Sequence, residues 1–173
     1  MTTRVLAFAI LVLVCVAALA LGIGLAPHTN QPAAAVVSCH SVAGLPDSTC
    51  TPGATDPRVT QDNVRSTICS PGYAVRARPP ADYTDMLKKQ QIAEYGYTDT
   101  NPSHYEEDHL IPLSLGGHPT DPKNLWPQPR RGENSAAHKD VVEAKLHDRV
   151  CAGKMRLSVA RSAIATNWRT AAS

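Results

Sequence analysis

Asp108 and His109 stand side by side in Glu106-Glu107-Asp108-His109-Leu110-Ile111-Pro112-Leu113-Ser114-Leu115-Gly116-Gly117. A carboxylate beside an imidazole can hold a hard divalent cation and activate a water molecule. The pair opens an apolar, strand-like run that ends in Gly116-Gly117, where the chain can reverse. Asn124-Leu125-Trp126-Pro127 then opens a second apolar segment able to pair with the first. Downstream, Asn134 and His138 are four residues apart and share a helix face with Val142, Leu146 and Val150. Lys139, Glu143 and His147 form a neighbouring stripe at the same spacing. That stripe is read in two ways: phosphate contact by Lys139 with a further acid or ligand behind it, or a surface salt-bridge ladder. Arg130 and Arg131 follow the second segment and are also read in two ways, as a phosphate clamp or as an ordinary solvated loop.

These residues need two strands and a helix to bring them together. Residues 105–115 are read as the first strand, with Pro112 placing it at a sheet edge or bulge. Residues 116–123 are a loop, 124–126 a short second strand cut off by Pro127 and Pro129, and 135–151 a long helix ended by Gly153. A last helix over 157–168 carries Leu157, Ala160, Ile164 and Trp168 at core-packing spacing. Upstream, 59–68 is read as a short helix capped by Thr60, and 73–78 as a strand stopped by Pro79-Pro80. A further helix is expected from a Thr84 cap through Tyr95, with Gly96 just past its end. Trp126 and Trp168 are read as core residues.

The pattern Asp-His-x-x-Pro-x-x-x-Gly-Gly…Asn-Leu resembles the HNH nucleases. The resemblance implies an α+β fold: a small ββα-metal core with flanking helices over residues 105–150. It implies that Asp108 binds one divalent metal ion and that His109 takes a proton from the attacking water, a task that suits an imidazole near neutral pH. Asn124 matches the middle Asn of the pattern, which braces the loop and orients the His. The family expects a His or Asn near the start of the helix as second metal ligand. Asn134 lies ten residues after Asn124 and is the better positional match, His138 is the stronger ligand by chemistry, and the choice between them stays open. Mg²⁺ or Mn²⁺ is the expected ion, with Zn²⁺ as an alternative, and nucleic acid the expected partner, DNA ahead of RNA. A broader likeness, carried by Thr51-Pro52-Gly53-Ala54, Val59-Thr60-Gln61, Arg78-Pro79-Pro80, Tyr95-Gly96-Tyr97 and Asn124-Leu125-Trp126-Pro127, is to small exported bacterial proteins of unassigned function, over residues 51–168.

Residues 5–26 form an uncharged run of 22 residues, long enough to cross a hydrocarbon core of about 30 Å as a helix. Residues 1–26 are therefore read as a signal peptide or a membrane anchor. Residues 27–50 are a linker with a small disulfide loop, and 51–173 the HNH-like domain. Both readings of the first segment put the domain outside the cytoplasm, secreted or held at the outer face of the membrane through residues 5–26. The cysteines agree. Beyond Cys15 four remain, Cys39, Cys50, Cys69 and Cys151, none spaced as Cys-x-x-Cys, which points to two disulfides rather than a zinc knuckle. Of three pairings, Cys39–Cys50 with Cys69–Cys151 is favoured. The first closes a short Pro/Gly/Ser loop and the second ties the two ends of the domain.

Charge is uneven. From residue 121 onward ten Lys/Arg face five Asp/Glu, a net of +5, against seven and ten before it, a net of −3. A basic half around the site suits a polyanion. No Lys/Arg run binds one by itself, and no His-Glu-x-x-His helix marks a zinc hydrolase. Two functions are carried forward: an exported phosphodiesterase acting on nucleic acid, and a non-catalytic binding module on the same scaffold.

Overall fold

The computed structural model describes residues 38–173. The apolar run at 5–26 and residues 27–37 of the expected linker lie outside the described residues. The chain is α+β, with four α-helices and one two-stranded antiparallel sheet among the described residues. In chain order these are α1 (Tyr73–Ala77), α2 (Ala81–Glu94), β1 (Tyr105–His109), β2 (Leu125–Pro129), α3 (Ala136–Cys151) and α4 (Leu157–Asn167). None of these helices is long and apolar enough to cross a membrane.

Each strand is launched by the same local device. Asn101-Pro102 and Asp121-Pro122 each open a one-turn 3₁₀ helix, with the Asx side chain accepting the backbone N–H two residues on, at 3.0 Å to Ser103 and 2.9 Å to Lys123. Proline at the first position has no N–H to lose. The strands pair with Asp108 opposite Trp126 and His109 opposite Leu125. The first strand is shorter than its sequence suggests: it stops at His109, and Leu113–Leu115 turn into a 3₁₀ helix. The second runs longer, through both prolines. The hydrogen bonds explain why. Leu110 N–H donates to the Asn124 carbonyl (2.8 Å) and Arg130 N–H to the His104 carbonyl (2.9 Å). Bonded pairs therefore fall at every second residue, and Pro127 and Pro129 occupy the non-bonded positions between them, where no N–H is needed.

Of residues 73–78, expected as a strand, Tyr73–Ala77 form the helix α1. Gly72 in the left-handed conformation turns the chain into it, and Arg78 becomes extended before Pro79-Pro80. Thr84 does not cap α2. The helix begins at Ala81 behind Pro80, and the Thr84 hydroxyl donates to the Ala81 carbonyl inside it. Thr60 does precede a helical turn, but only over Gln61–Asn63.

Two apolar clusters pack on either side of the chain that leaves β1. Leu110 joins Tyr95, Trp126 and Cys39, whereas Ile111 joins Val59, Ile68, Leu115, Leu146, Val150, Leu157, Ala160, Ile164 and Trp168. Both tryptophans are thus core residues, and the expected apolar face of α4 is buried throughout. The disulfides are Cys39–Cys50 and Cys69–Cys151, closing 11 and 82 residues. The second joins the turn before α1 to the end of α3, so α3 is held at its C-terminus as well as by its buried face.

Candidate functional site

His109 ends β1, and the loop after it is clamped by Asn124. Its Oδ1 accepts from Ile111 N–H (2.9 Å), and its Nδ2 donates to the carbonyls of Ile111 (2.9 Å) and His118 (3.1 Å). Gly117 makes this closure possible: a Cβ there would lie 1.7 Å from the Ile111 carbonyl oxygen. The clamped loop presents the Pro119 carbonyl to His109 Nε2 at 3.0 Å. A carbonyl only accepts, so Nε2 carries the hydrogen and Nδ1 is the nitrogen free to take a proton. Burial, with Arg78, Lys139 and His118 adding to it, pushes the imidazole down to about 4 against the raising effect of the Pro119 bond. His109 is therefore neutral at physiological pH.

Asp108 points to α3. Its Oδ2 accepts from Trp126 Nε1 (3.2 Å) and lies 2.8 Å from Lys139 Nζ. Lys139 is fully enclosed, and its ammonium also donates to the His109 carbonyl (2.7 Å) and to Glu143 Oε1. All three donors of the ammonium are used. Burial alone would lower the Lys139 pKa, but Asp108 and then Glu143 reverse this and hold it charged. The same burial pushes both acids up while Lys139 pulls them down, and Glu143 ends at about 7.

Beside this triad lies a cleft of about 100 Å³. Glu106, Glu107, Asp108 and His109 line it from β1, Arg78 from the end of α1, and Asp140 and Glu143 from α3. Five carboxyl groups thus meet one guanidinium. Glu106 is answered by Arg130 (2.7 Å). Glu107 is 7% exposed, and neither of its carboxyl oxygens has a hydrogen-bond partner. Burial first, and Asp108 second, push it up to about 9, with Lys88 acting the other way.

The other expected site residues are placed elsewhere. Asn134 and His138 line a separate depression with Glu133, Val142, Trp168 and Arg169. Asn134 packs against Gly44, and the His138 ring bonds the Glu133 carbonyl. The helical residue that reaches the acid–imidazole pair is Lys139, one position further on. Its neighbours also remove it from both roles read for its stripe: an ammonium with no exposed surface neither meets phosphate nor joins a surface ladder. Arg130 is committed to Glu106 and the Tyr105 carbonyl, and Arg131 lines a third depression with Asp99 and His104. Glu107 carried no role in the sequence. Strand alternation, which puts it on the face of His109, was the signal for it.

A second group of donors lies at the far end of α3. Cys69, His147 and Cys151 bring their donor atoms within 4.8 Å of one another and could bind a metal ion. The two sulfurs are bonded to each other, so this group offers thiolate ligands only after reduction. His147 Nε2 donates to the Ile68 carbonyl at 3.0 Å.

No protein-family model, curated protein or solved structure matches the chain.

Proposed function

We propose that the protein is an extracytoplasmic, metal-assisted phosphodiesterase acting on nucleic acid, with His109 as general base. One observation carries this reading: a buried, neutral imidazole is fixed by a backbone carbonyl through Nε2, which leaves Nδ1 as its basic atom, and His109 lines a cleft ringed by acids. Such a group can accept a proton from water at neutral pH, because protonation does not compete until the solution is far more acidic.

The residues present fit a divalent cation. A cleft with five carboxyl groups and one guanidinium repels a polyanion unless positive charge enters with the substrate. Asp108 and Glu143 each present one oxygen to Lys139, and both line the cleft with Glu107 and Asp140. These are the hard oxygen donors that Mg²⁺ or Mn²⁺ prefers. A cation held there would supply charge against the phosphate and the leaving oxygen. Lys139 keeps Asp108 in place and offsets part of the negative charge. Asn124 acts through the loop: by fixing it, it fixes the Pro119 carbonyl and so the tautomer of His109. Export is supported by the two disulfides, which persist in oxidising compartments.

The test is the purified full chain, in detergent, incubated with DNA and with RNA in Mg²⁺, Mn²⁺ or Zn²⁺ and with chelator. Cleavage that requires the cation is expected. Intact substrate under every condition would refute the reading.

A second reading has one observation in its favour. Lys139 already neutralises Asp108, which suits a binding module that has no use for a metal ion. In that case full-length chain binds DNA or another partner without cleaving it, and chelator changes nothing.

A further inference from the structure

We propose that Glu107 is the principal carboxylate ligand of a divalent cation in the β1 cleft. The proposal shares its cleft with the hydrolase reading, but it concerns which carboxylate holds the ion and is tested without turnover.

Among the acids lining the cleft, the others are accounted for or open to solvent. Asp108 accepts from Trp126 and Lys139, Glu143 from Lys139, and Glu106 from Arg130. Asp140 is exposed. Glu107 alone is enclosed with both oxygens unanswered. Lys88, whose charge acts on Glu107, spends its ammonium on Asp85 at 3.0 Å. A buried carboxyl without a partner is costly to keep. It persists where something absent from the polypeptide answers it, and in a cleft with four more carboxyl groups that something is a cation. Its oxygens are hard, two in number, and on the same strand face as His109, one pleat repeat or about 7 Å along the strand. An ion held by Glu107 would therefore lie on the His109 side of β1. Asp108 points from the opposite strand face into the Lys139 ammonium. An ion there would have to displace or share that ammonium, whereas neither Glu107 oxygen is engaged by a hydrogen bond.

The decisive measurement is Mn²⁺ binding to the full chain in detergent, by calorimetry and by the loss of the free-ion electron paramagnetic resonance signal. Wild type, Glu107→Gln and Asp108→Asn are compared, with circular dichroism and melting temperature recorded for each. One site per chain is expected, with a Kd of about 1 mM or tighter. Glu107→Gln keeps side-chain size and removes the charge; it should remain folded and weaken binding at least tenfold, and Mn²⁺ should no longer raise its melting temperature. Asp108→Asn should lose less. Wild-type affinity in Glu107→Gln, or a loss confined to Asp108→Asn, overturns the assignment, as does the absence of any Mn²⁺ binding to wild type. Binding through Glu107 without phosphodiester cleavage would remove the hydrolase reading and leave this one standing. Cation-dependent cleavage with unchanged Mn²⁺ affinity in Glu107→Gln would do the reverse.

Discussion

His109 and Glu107 are two titratable groups on one strand face whose surroundings push them in opposite directions, and each direction has a measurable consequence. His109 is held down to about 4, so it is a free base throughout the neutral range. With the cation kept saturating at each pH, the rate of hydrolysis should stay level from about pH 8 down to about pH 5.5 and fall only below that, unlike that of an ordinary imidazole with a pKa near 6.5. The same shift affects stability. Between about pH 4 and 6.5 the unfolded chain binds the proton and the folded chain does not, so His109 makes stability rise with pH across that window. Glu107 works the other way. Its folded value, about 9, lies above its unfolded value of 4.5. Above about pH 4.5 the unfolded state ionises and the folded state stays protonated, so stability falls as pH rises towards 9. Glu107→Gln should remove that fall and stabilise the metal-free protein at pH 7 by up to about 3 kcal/mol, measured by urea unfolding with chelator. A functional group that costs stability is the expected mark of a working site. Lys139 is the opposite case. Lys139→Ala leaves Asp108 and Glu143 buried together without their cation and should cost about 3–5 kcal/mol.

At the scale of elements, the site depends on a short loop more than on either strand. Asn124 and Gly117 close the turn between β1 and β2, and the closed turn delivers the Pro119 carbonyl to His109. Gly117→Ala forces a methyl group into the Ile111 carbonyl. It should cost at least about 2 kcal/mol and lower hydrolysis further than stability alone explains, because the imidazole loses its orienting bond. Activity and chemical unfolding of the same variant measure both effects. The helices α3 and α4 were readable because their apolar residues recur at helical spacing, and their observed ends lie within a residue of expectation. The strand pair was readable in place but not in length. Prolines that look like terminators are harmless at non-bonded positions, and bonding phase is a property of the pair rather than of either segment. Residues 73–78 look like a strand in the sequence because the five residues of α1 hold too little periodicity to separate a strand from a turn of helix. Lys139 was misread because helical spacing shows which residues share a stripe, while its burial is decided by Asp108 and the His109 carbonyl, 30 residues earlier in the chain.

For the molecule as a whole, the long disulfide is the main covalent constraint. The Cys69–Cys151 bond closes 82 residues that include the entire cleft. Replacing both cysteines with serine should lower stability by about 4 kcal/mol in the chain-entropy account, read as a shift in urea midpoint. The pairing itself was legible from spacing, because a short loop and a long one leave a simple partition of four cysteines. The net basic charge of the C-terminal half was legible too, but it does not describe the site. Arg130 and Lys139 are consumed by carboxylates, and the cleft that holds His109 is acidic. In the proposed function a polyanion would therefore be met through a cation rather than through the protein's own lysines and arginines. The most direct test of this account is the initial rate of DNA cleavage by the full chain in Mn²⁺, wild type against His109→Ala, with matched circular dichroism. A fall of at least about 100-fold is predicted. Equal rates in the two proteins would contradict it.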